Sequence, residues 1–507
     1  MKVGSLAKAL DDRVGGAGFL NRAMRKAFAN HWTFLLGEIA LYAFVVVLVT
    51  GVFLTFFFKP SMEEVVYNGA YVPLRGVTMS QAYASSLEIS FEVRGGLLIR
   101  QMHHWGTLIF IGGIVAHLLR NFFTGAFRKP RELNWLIGMV LFGLVMLNGL
   151  LGYSLPDDLL SGAGLRILHG VTLSVPLVGT YLATFLFGGE FPGDDIISRL
   201  YSLHVLLIPG LLLVLVPLHA VVLTWRQMHT QFRAKGLNER LVRGDPFFPA
   251  FLAKTTAFLL WVTGVIALLA TVFQINPIWL YGPYVPSTVS AGSQPDWYMG
   301  FLEGALRLMP PWEFTVFGHT VTMSVLIPAL AAPGLLFAGL ALYPFVERWV
   351  TGDGAVHNLL DRPRDAPTRT GIGVAGIVYY GVLWMSGGND LIASTFHISL
   401  NATTWIFRVA ILAGPVLAYV VTRWICLGLQ ARDRHMVEHG VETGVIVRGR
   451  GGGFTEVERP ATEEEKAKLV PPAPETPPAL PPVSNGDVPP PAKHRIREAF
   501  HRSWSSR

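Results

Sequence analysis

Apolar residues in this chain gather into long runs. They lie near residues 33–58, 97–119, 135–155, 203–225, 251–273, 323–346, 371–386 and 405–425. All but the short seventh reach the roughly 17–25 residues that a helix needs to cross a bilayer core. The pattern predicts an all-α polytopic membrane protein with eight transmembrane helices. A further apolar stretch, 173–187, is too short to cross, and Pro156, Asp157, Asp158 and Pro176 lie around it. Residues 157–198, between the third and fourth spans, are therefore expected to form short surface helices. Composition agrees, since 15% of the 507 residues are charged against about 25% in soluble domains.

Charge sets the orientation. Lys2, Lys8, Arg13, Arg22, Arg25 and Lys26 precede the first span, and the run that follows is too long for a signal-peptide core. Arg120, Arg128, Lys129 and Arg131 follow the second span, Arg226, Arg233, Lys235, Arg240 and Arg243 the fourth, and Arg348, Arg362, Arg364 and Arg369 flank the loop after the sixth. Residues 274–322 hold one basic residue, Arg307, and 387–401 none. By the positive-inside rule the first set of loops and both termini are cytoplasmic, and the second set is outside. The net charge of +7 then reflects topology, and no nucleic-acid partner is expected. The organisation expected is a cytoplasmic arm (1–31), a module of spans one to four (32–245), a module of spans five to eight (246–428) and a cytoplasmic tail (429–507). Residues 471–492 of the tail hold ten prolines, the composition of an extended linker. Beyond them Ile496, Phe500 and Trp504 recur among arginines, which fits an amphipathic helix on anionic lipid or a partner and equally fits a solvated tail. The one cysteine, Cys426, excludes a disulfide, a four-cysteine iron–sulfur cluster or a C-x-x-C-H haem attachment within this chain.

The candidate chemistry is four histidines inside apolar runs. His103 and His117 are fourteen apart in the second span, His204 and His219 fifteen apart in the fourth. These steps are rises of about 21 and 22.5 Å, a large part of a ~30 Å hydrocarbon core. At roughly 100° per residue the first pair returns to within about 40° of alignment and the second overshoots by about 60°. Being second and fourth, the two spans run parallel, from outside to inside. Pairing like depth with like places His103 with His204 near the outer face and His117 with His219 near the inner one. Two stacked sites with an imidazole from either side are what two noncovalent bis-histidine haems require. Gly37 and Gly51, and Gly138 and Gly152, repeat the fourteen-residue interval. Lacking Cβ, they would let a flat macrocycle approach the backbone, although helix packing also accounts for membrane glycines. Arg100 and Arg120 lie three residues outside the first histidine pair. They would meet haem propionates, or snorkel to water. His104 points about 100° from His103 and is taken as a neighbour, not a ligand.

These motifs resemble those of the cytochrome b subunits of respiratory cytochrome bc complexes, over roughly residues 30–425. The family pattern Arg-x-x-His, thirteen residues, His-x-x-Arg stands here as Arg100, His103, His117 and Arg120. Gly152-Tyr153-Ser154-Leu155-Pro156 resembles the G-Y-x-L-P segment of the quinol-oxidation site. Pro295-Asp296-Trp297-Tyr298, followed by Leu306, Arg307 and Pro310, resembles the P-E-W-Y region. The wider His204–His219 interval, the HWTFLLGEIALY start, the SAGSQPDWY loop and the long tail are most similar to the actinobacterial branch, which uses menaquinol. The resemblance implies a quinol–cytochrome-c reductase, acting within a multi-subunit complex with a Rieske iron–sulfur subunit and a cytochrome c subunit. It also implies a homodimer, possible association with a terminal oxidase, and a bacterial plasma membrane. Asp296 would accept a quinol proton, with Tyr298 and Tyr153 lining the pocket beside Pro295 and Trp297. Ser293, Pro295 and Asp296 would equally suit a helix N-cap. At the inner quinone site the positions where mitochondrial relatives carry histidine and aspartate are Thr224 and Thr255, which leaves Arg226, His229 and Asp245 as polar candidates. Two rivals stand beside this reading: a transmembrane dihaem cytochrome serving another dehydrogenase, and a haem-free transporter or proton channel.

Overall fold

The structure is a computed structural model, and it describes residues 24–223, 227–288 and 294–469. Thr224, Arg226, Ser293, the proline-rich segment and the terminal Ile496, Phe500 and Trp504 lie outside the described residues. Among the described residues, eight helices are long and apolar enough to cross a membrane. In order they are Trp32–Thr55, Gly96–Phe123, Glu132–Tyr153, Ile196–Val221, Phe247–Val272, Met323–Thr351, Pro367–Gly387 and Leu400–Glu438, hereafter spans 1 to 8. The protein is a multi-pass membrane protein built mainly of helices. Its spans are apolar outside as well as inside: Val214, Leu335 and Leu412 are 68%, 74% and 77% exposed, the surface that hydrocarbon covers.

Several boundaries differ from the apolar pattern. Span 4 begins at Ile196 because the buried Ile196, Ile197 and Leu200 continue the helix past Arg199, which breaks the run in sequence. Between spans 3 and 4 lie two helices too short to cross, Leu159–Leu173 and Gly179–Phe187. The first is capped by the Asp158 side chain on the Leu160 N–H. Span 8 outlasts its apolar run and reaches Glu438, after which the antiparallel strands Val441–Arg448 and Phe454–Arg459 and the helix Glu463–Leu469 follow. The tail to residue 469 is thus folded.

Spans 1 to 4 share one apolar core, to which span 5 adds Val262 and Ile266 and the following loop adds Tyr298. Span 5 packs on spans 1 and 2, and span 7 packs on span 8. Loops meet only in the combinations that alternation through a bilayer allows. On the face of the N-terminus, strand Ala27–Phe28 pairs with Asp245–Pro246, and Gln231–Phe232 with Leu359–Leu360. On the opposite face Gln101 donates to the Ile275 carbonyl at 2.8 Å, the Tyr83 hydroxyl to that of Ile278 at 3.0 Å, and the Leu159 N–H to that of Gly282 at 3.0 Å.

The basic face is closed by a buried ion cluster. Asp361 lies 2.8 Å from both Arg128 and Arg233 and 3.0 Å from Arg369, which also bonds Glu347 at 3.1 Å. Burial alone would raise the Asp361 carboxyl, but the arginines hold it below its usual range. A carboxyl lowered on folding stabilises at neutral pH, and the contribution is lost as pH falls below about 4. Replacing Arg369, which is 4% exposed, leaves the buried Glu347 without its arginine and removes one of the three arginines around Asp361. Arg369→Gln is therefore expected to cost about 3–5 kcal/mol at neutral pH, read by thermal unfolding of the purified protein, with a smaller cost at pH 4. Arg459→Gln, which breaks an exposed pair with Glu465, should leave the midpoint unchanged.

Candidate functional site

Span 2 carries His103 and His117 on an α-helix. In span 4, His204 lies in a π-helical turn, Leu203–Leu207, and His219 in a second, Leu218–Leu223. A π turn bonds i to i+5 and so takes one more residue per turn than an α turn. The additional residue of the fifteen-residue interval is absorbed there, and the overshoot expected of a uniform helix is removed. Pro217, which has no N–H to give the preceding turn, immediately precedes the second π segment. The rings meet as the sequence pairs them: His103 and His204 have ring centres 6.2 Å apart, His117 and His219 6.5 Å. Two imidazoles each about 2 Å from one shared metal atom have centres roughly 6 Å apart, so both pairs fit axial ligation of a haem iron.

The four glycines seat these rings. A Cβ on Gly51 would lie 3.1 Å from His103 Cε1, on Gly37 2.9 Å from His117 Nδ1, on Gly138 3.3 Å from His219 Cε1, and on Gly152 2.4 Å from His204 Cε1. The close approach expected for a macrocycle is, in the protein itself, an approach by imidazole. Each ring lies over its glycine, and both rings of span 4 reach the carbonyl one turn before it. His204 Nδ1 donates to the Asn148 carbonyl at 2.9 Å and His219 Nδ1 to that of Asn134 at 3.1 Å. Thr50 Oγ1 lies 3.1 Å from His103 Nδ1 and itself reaches the Val46 and Val47 carbonyls at 2.7 and 3.1 Å. A proton fixed on Nδ1 leaves the Nε2 lone pair for a metal. His117 differs: its Nδ1 is buried without a partner, and its Nε2 accepts from Asn121 at 2.9 Å. Asn134 and Asn148 share the fourteen-residue interval, a signal available in the sequence and not used.

Arg100 reaches the Asn276 carbonyl at 3.1 Å and Arg120 reaches Asn121 Oδ1 at 2.8 Å, yet Arg100 Nε and Arg120 Nε and Nη2 are buried without partners. Buried guanidinium N–H groups without acceptors suit an anionic group such as a propionate.

Beside the His103–His204 pair, both carboxylate oxygens of Asp296 lie 3.1 Å from His104 Nε2, with the two side chains 15% and 14% exposed. Asp296 is thus held across the loop by span 2, and the helix that follows, Gly300–Leu308, has no side-chain cap. His104, set aside because it points away from His103, faces the carboxylate that the sequence singles out. Tyr298 is 2% exposed, its hydroxyl fits against Gly149, and burial raises its phenol well above the usual range. The Tyr153 hydroxyl is buried without a partner, and Trp297 packs against the main core.

At the other pair a cavity of about 510 Å³ is lined by His117, His219, Gly37, Gly138, Arg120, His229 and Thr255. His229 Nδ1 donates to the Thr230 carbonyl at 2.9 Å, and burial lowers its pKa to about 4. The ring is neutral at pH 7 and turns a bare Nε2 outward. Asp245 is not brought to this cavity. It pairs with Lys254 and takes a 2.7 Å bond from Asn30 on the surface. Glu38, a residue the sequence reading passed over, does line it.

Two stacked imidazole pairs within a bundle of membrane helices are an arrangement that suits a membrane cytochrome. The profile of the family described as cytochrome b (N-terminal)/b6/petB matches residues 108–283. The cytochrome b subunit of the cytochrome bc1 complex from Streptomyces coelicolor is 54% identical over 455 residues, 90% of this chain and 83% of that one. The corresponding subunit of Mycobacterium tuberculosis is 54% identical over 90% of this chain and 82% of its own, and that of Corynebacterium diphtheriae 52% identical over 90% and 84%. A solved hyperthermophilic respiratory Complex III contains a chain with the same fold, at TM-score 0.61 and 21% identity, covering 83% of this chain and 99% of that one. The chain belongs to the cytochrome b subunit family of cytochrome bc1 complexes, a family that binds haem.

The glycine seats make a graded prediction. Gly152→Ala drives a methyl into the His204 ring and is expected to lower the haem-to-protein ratio of the purified protein, measured as the pyridine haemochrome. Gly138→Ala, with more room, should retain it. Equal loss from both would contradict seating by the imidazole.

Proposed function

We propose that this chain is the electron-transfer subunit of a menaquinol:cytochrome c reductase, working with a Rieske iron–sulfur subunit and a cytochrome c subunit in a homodimeric complex of a bacterial plasma membrane. Association with a terminal oxidase is part of the same proposal, as are cytoplasmic termini and the division into modules 32–245 and 246–428. The observation that carries it is the pairing of His104 with Asp296 beside the upper of two stacked imidazole pairs.

Two noncovalent b-type haems, held by His103 with His204 and by His117 with His219, would supply an electron route across the bilayer. Arg100 and Arg120 neutralise propionates at opposite depths, and Gly37, Gly51, Gly138 and Gly152 fix the rings that hold the metals. At the outer site Asp296 accepts a proton from quinol. His104 orients that carboxylate and keeps it beside the haem pair. Tyr298, protonated at any physiological pH, and Tyr153 line the pocket, with Pro295 and Trp297 shaping the loop. Near the inner pair His229 offers its bare Nε2 to a quinol hydroxyl, and Arg226 stays a candidate from its place in the sequence alone. Inward electron movement opposes a membrane potential by about 2.3 kcal/mol per charge per 100 mV, which is how quinol oxidation outside and quinone reduction inside would conserve energy.

Asp296→Asn is expected to lower quinol-driven cytochrome c reduction by the purified complex about 100-fold or more while the haem spectrum stays intact. His104→Asn should give a smaller loss with a shifted pH profile. Unchanged activity in Asp296→Asn would favour the other reading, a dihaem cytochrome serving a different dehydrogenase.

A further inference from the structure

One acidic residue among those described lines the inner cavity. Glu38 sits in the first turn of the α-helical part of span 1, where an unpaired carboxylate is costly and calls for a function. Its partners are hydroxyls. Tyr42 donates to Glu38 Oε2 at 3.2 Å from the next turn, and Thr255 donates to the same oxygen at 2.8 Å from span 5. The Tyr42 and Thr255 hydroxyl oxygens also lie in contact; each carries one proton, so when both donate to Oε2 none is left to bond them to each other. The three groups make a closed triangle across two helices, and Oε1 is left without a hydrogen bond among the described residues. Two donors on one oxygen fix the plane of the carboxyl and leave the other oxygen for a ligand or water.

The remaining charged and titratable groups around the cavity do not duplicate this. Arg131 is committed to the His357 and Met228 carbonyls and to Asn358 Oδ1. Arg120 keeps its charge at any working pH and faces the inner histidine pair. His117 and His219 are the ring pair itself. His229 carries its proton on Nδ1, bonded to Thr230, and presents an acceptor. Lys254, next to Thr255, is paired with Asp245 outside the cavity.

From this geometry we infer that Glu38 is the proton donor to quinone reduced in the inner cavity, held in place by Tyr42 and Thr255. The inference rests on the proposed inner quinone site. In the reaction the quinone gains two electrons, which the complex has withdrawn from quinol, and two protons. One proton leaves the Glu38 carboxyl, whose O–H bond breaks as a quinone O–H bond forms. The other comes from solvent at the basic face, which also reprotonates the carboxylate. His229 Nε2 takes a hydrogen bond from the hydroxyl so formed.

The test uses the whole purified complex and a soluble naphthoquinone. It follows reoxidation of the reduced inner haem by stopped flow across pH, together with infrared difference spectra of the same step. Glu38→Gln is expected to slow reoxidation about 100-fold or more, flatten its pH profile and remove the protonated-carboxyl band, with haem content and the first turnover of outer-site quinol oxidation unchanged. Glu38→Asp should recover part of the rate. Tyr42→Phe combined with Thr255→Val, which keeps the acid and removes its donors, should move the pH profile upward. Wild-type rate, pH profile and carboxyl band in Glu38→Gln would overturn the role of Glu38 alone. A wild-type complex whose inner haem is not reoxidised by quinone would overturn the inner-site reading itself, and this inference with it.

Discussion

The structure depends on how an imidazole is held inside hydrocarbon. A buried ring nitrogen needs a partner, and in span 4 the seat supplies one without a second polar side chain. Glycine removes the Cβ, the ring drops onto the backbone, and the Nδ1–H of His204 and of His219 reaches a carbonyl one turn back. That bond sets the tautomer, and the tautomer sets which nitrogen faces the gap between helices. Spans 1 and 3 are therefore more than packing partners. They are backbone surfaces that make spans 2 and 4 able to bind metal, which explains why their glycines repeat at the histidine interval.

Span 4 shows how local irregularity serves that constraint. Histidines fifteen positions apart cannot align in a uniform α-helix, yet both rings meet their partners. The two π turns absorb the difference at the histidines themselves. The interval was legible in the sequence as an anomaly of about 60°; its remedy was not, because π turns depend on tertiary contacts and leave no periodic trace. The eight spans and the pairing of the histidines were legible for the opposite reason, since length, hydropathy and charge asymmetry are set by the bilayer more than by neighbouring side chains.

What the sequence hid were partnerships between distant residues. Rotation along span 2 correctly turned His104 away from the haem gap, but could not say that Asp296, 192 positions on, waits there. Glu38 looked like one acid at the start of a helix until Tyr42 and Thr255 closed around it. Asp245 failed in the other direction: it belongs to the right loop, yet Lys254 nine positions away holds it at the surface. The tail beyond residue 430 also folds further than its composition suggested, because its strands alternate on a short hairpin.

The central claim is that two stacked imidazole pairs carry electrons across the membrane between two quinone sites. A redox titration of the purified complex, followed in the haem α-band, tests it most directly. The account predicts two low-spin b haems with different midpoint potentials, one of them lost when a histidine of its own pair is replaced. A single haem, or none, would contradict it.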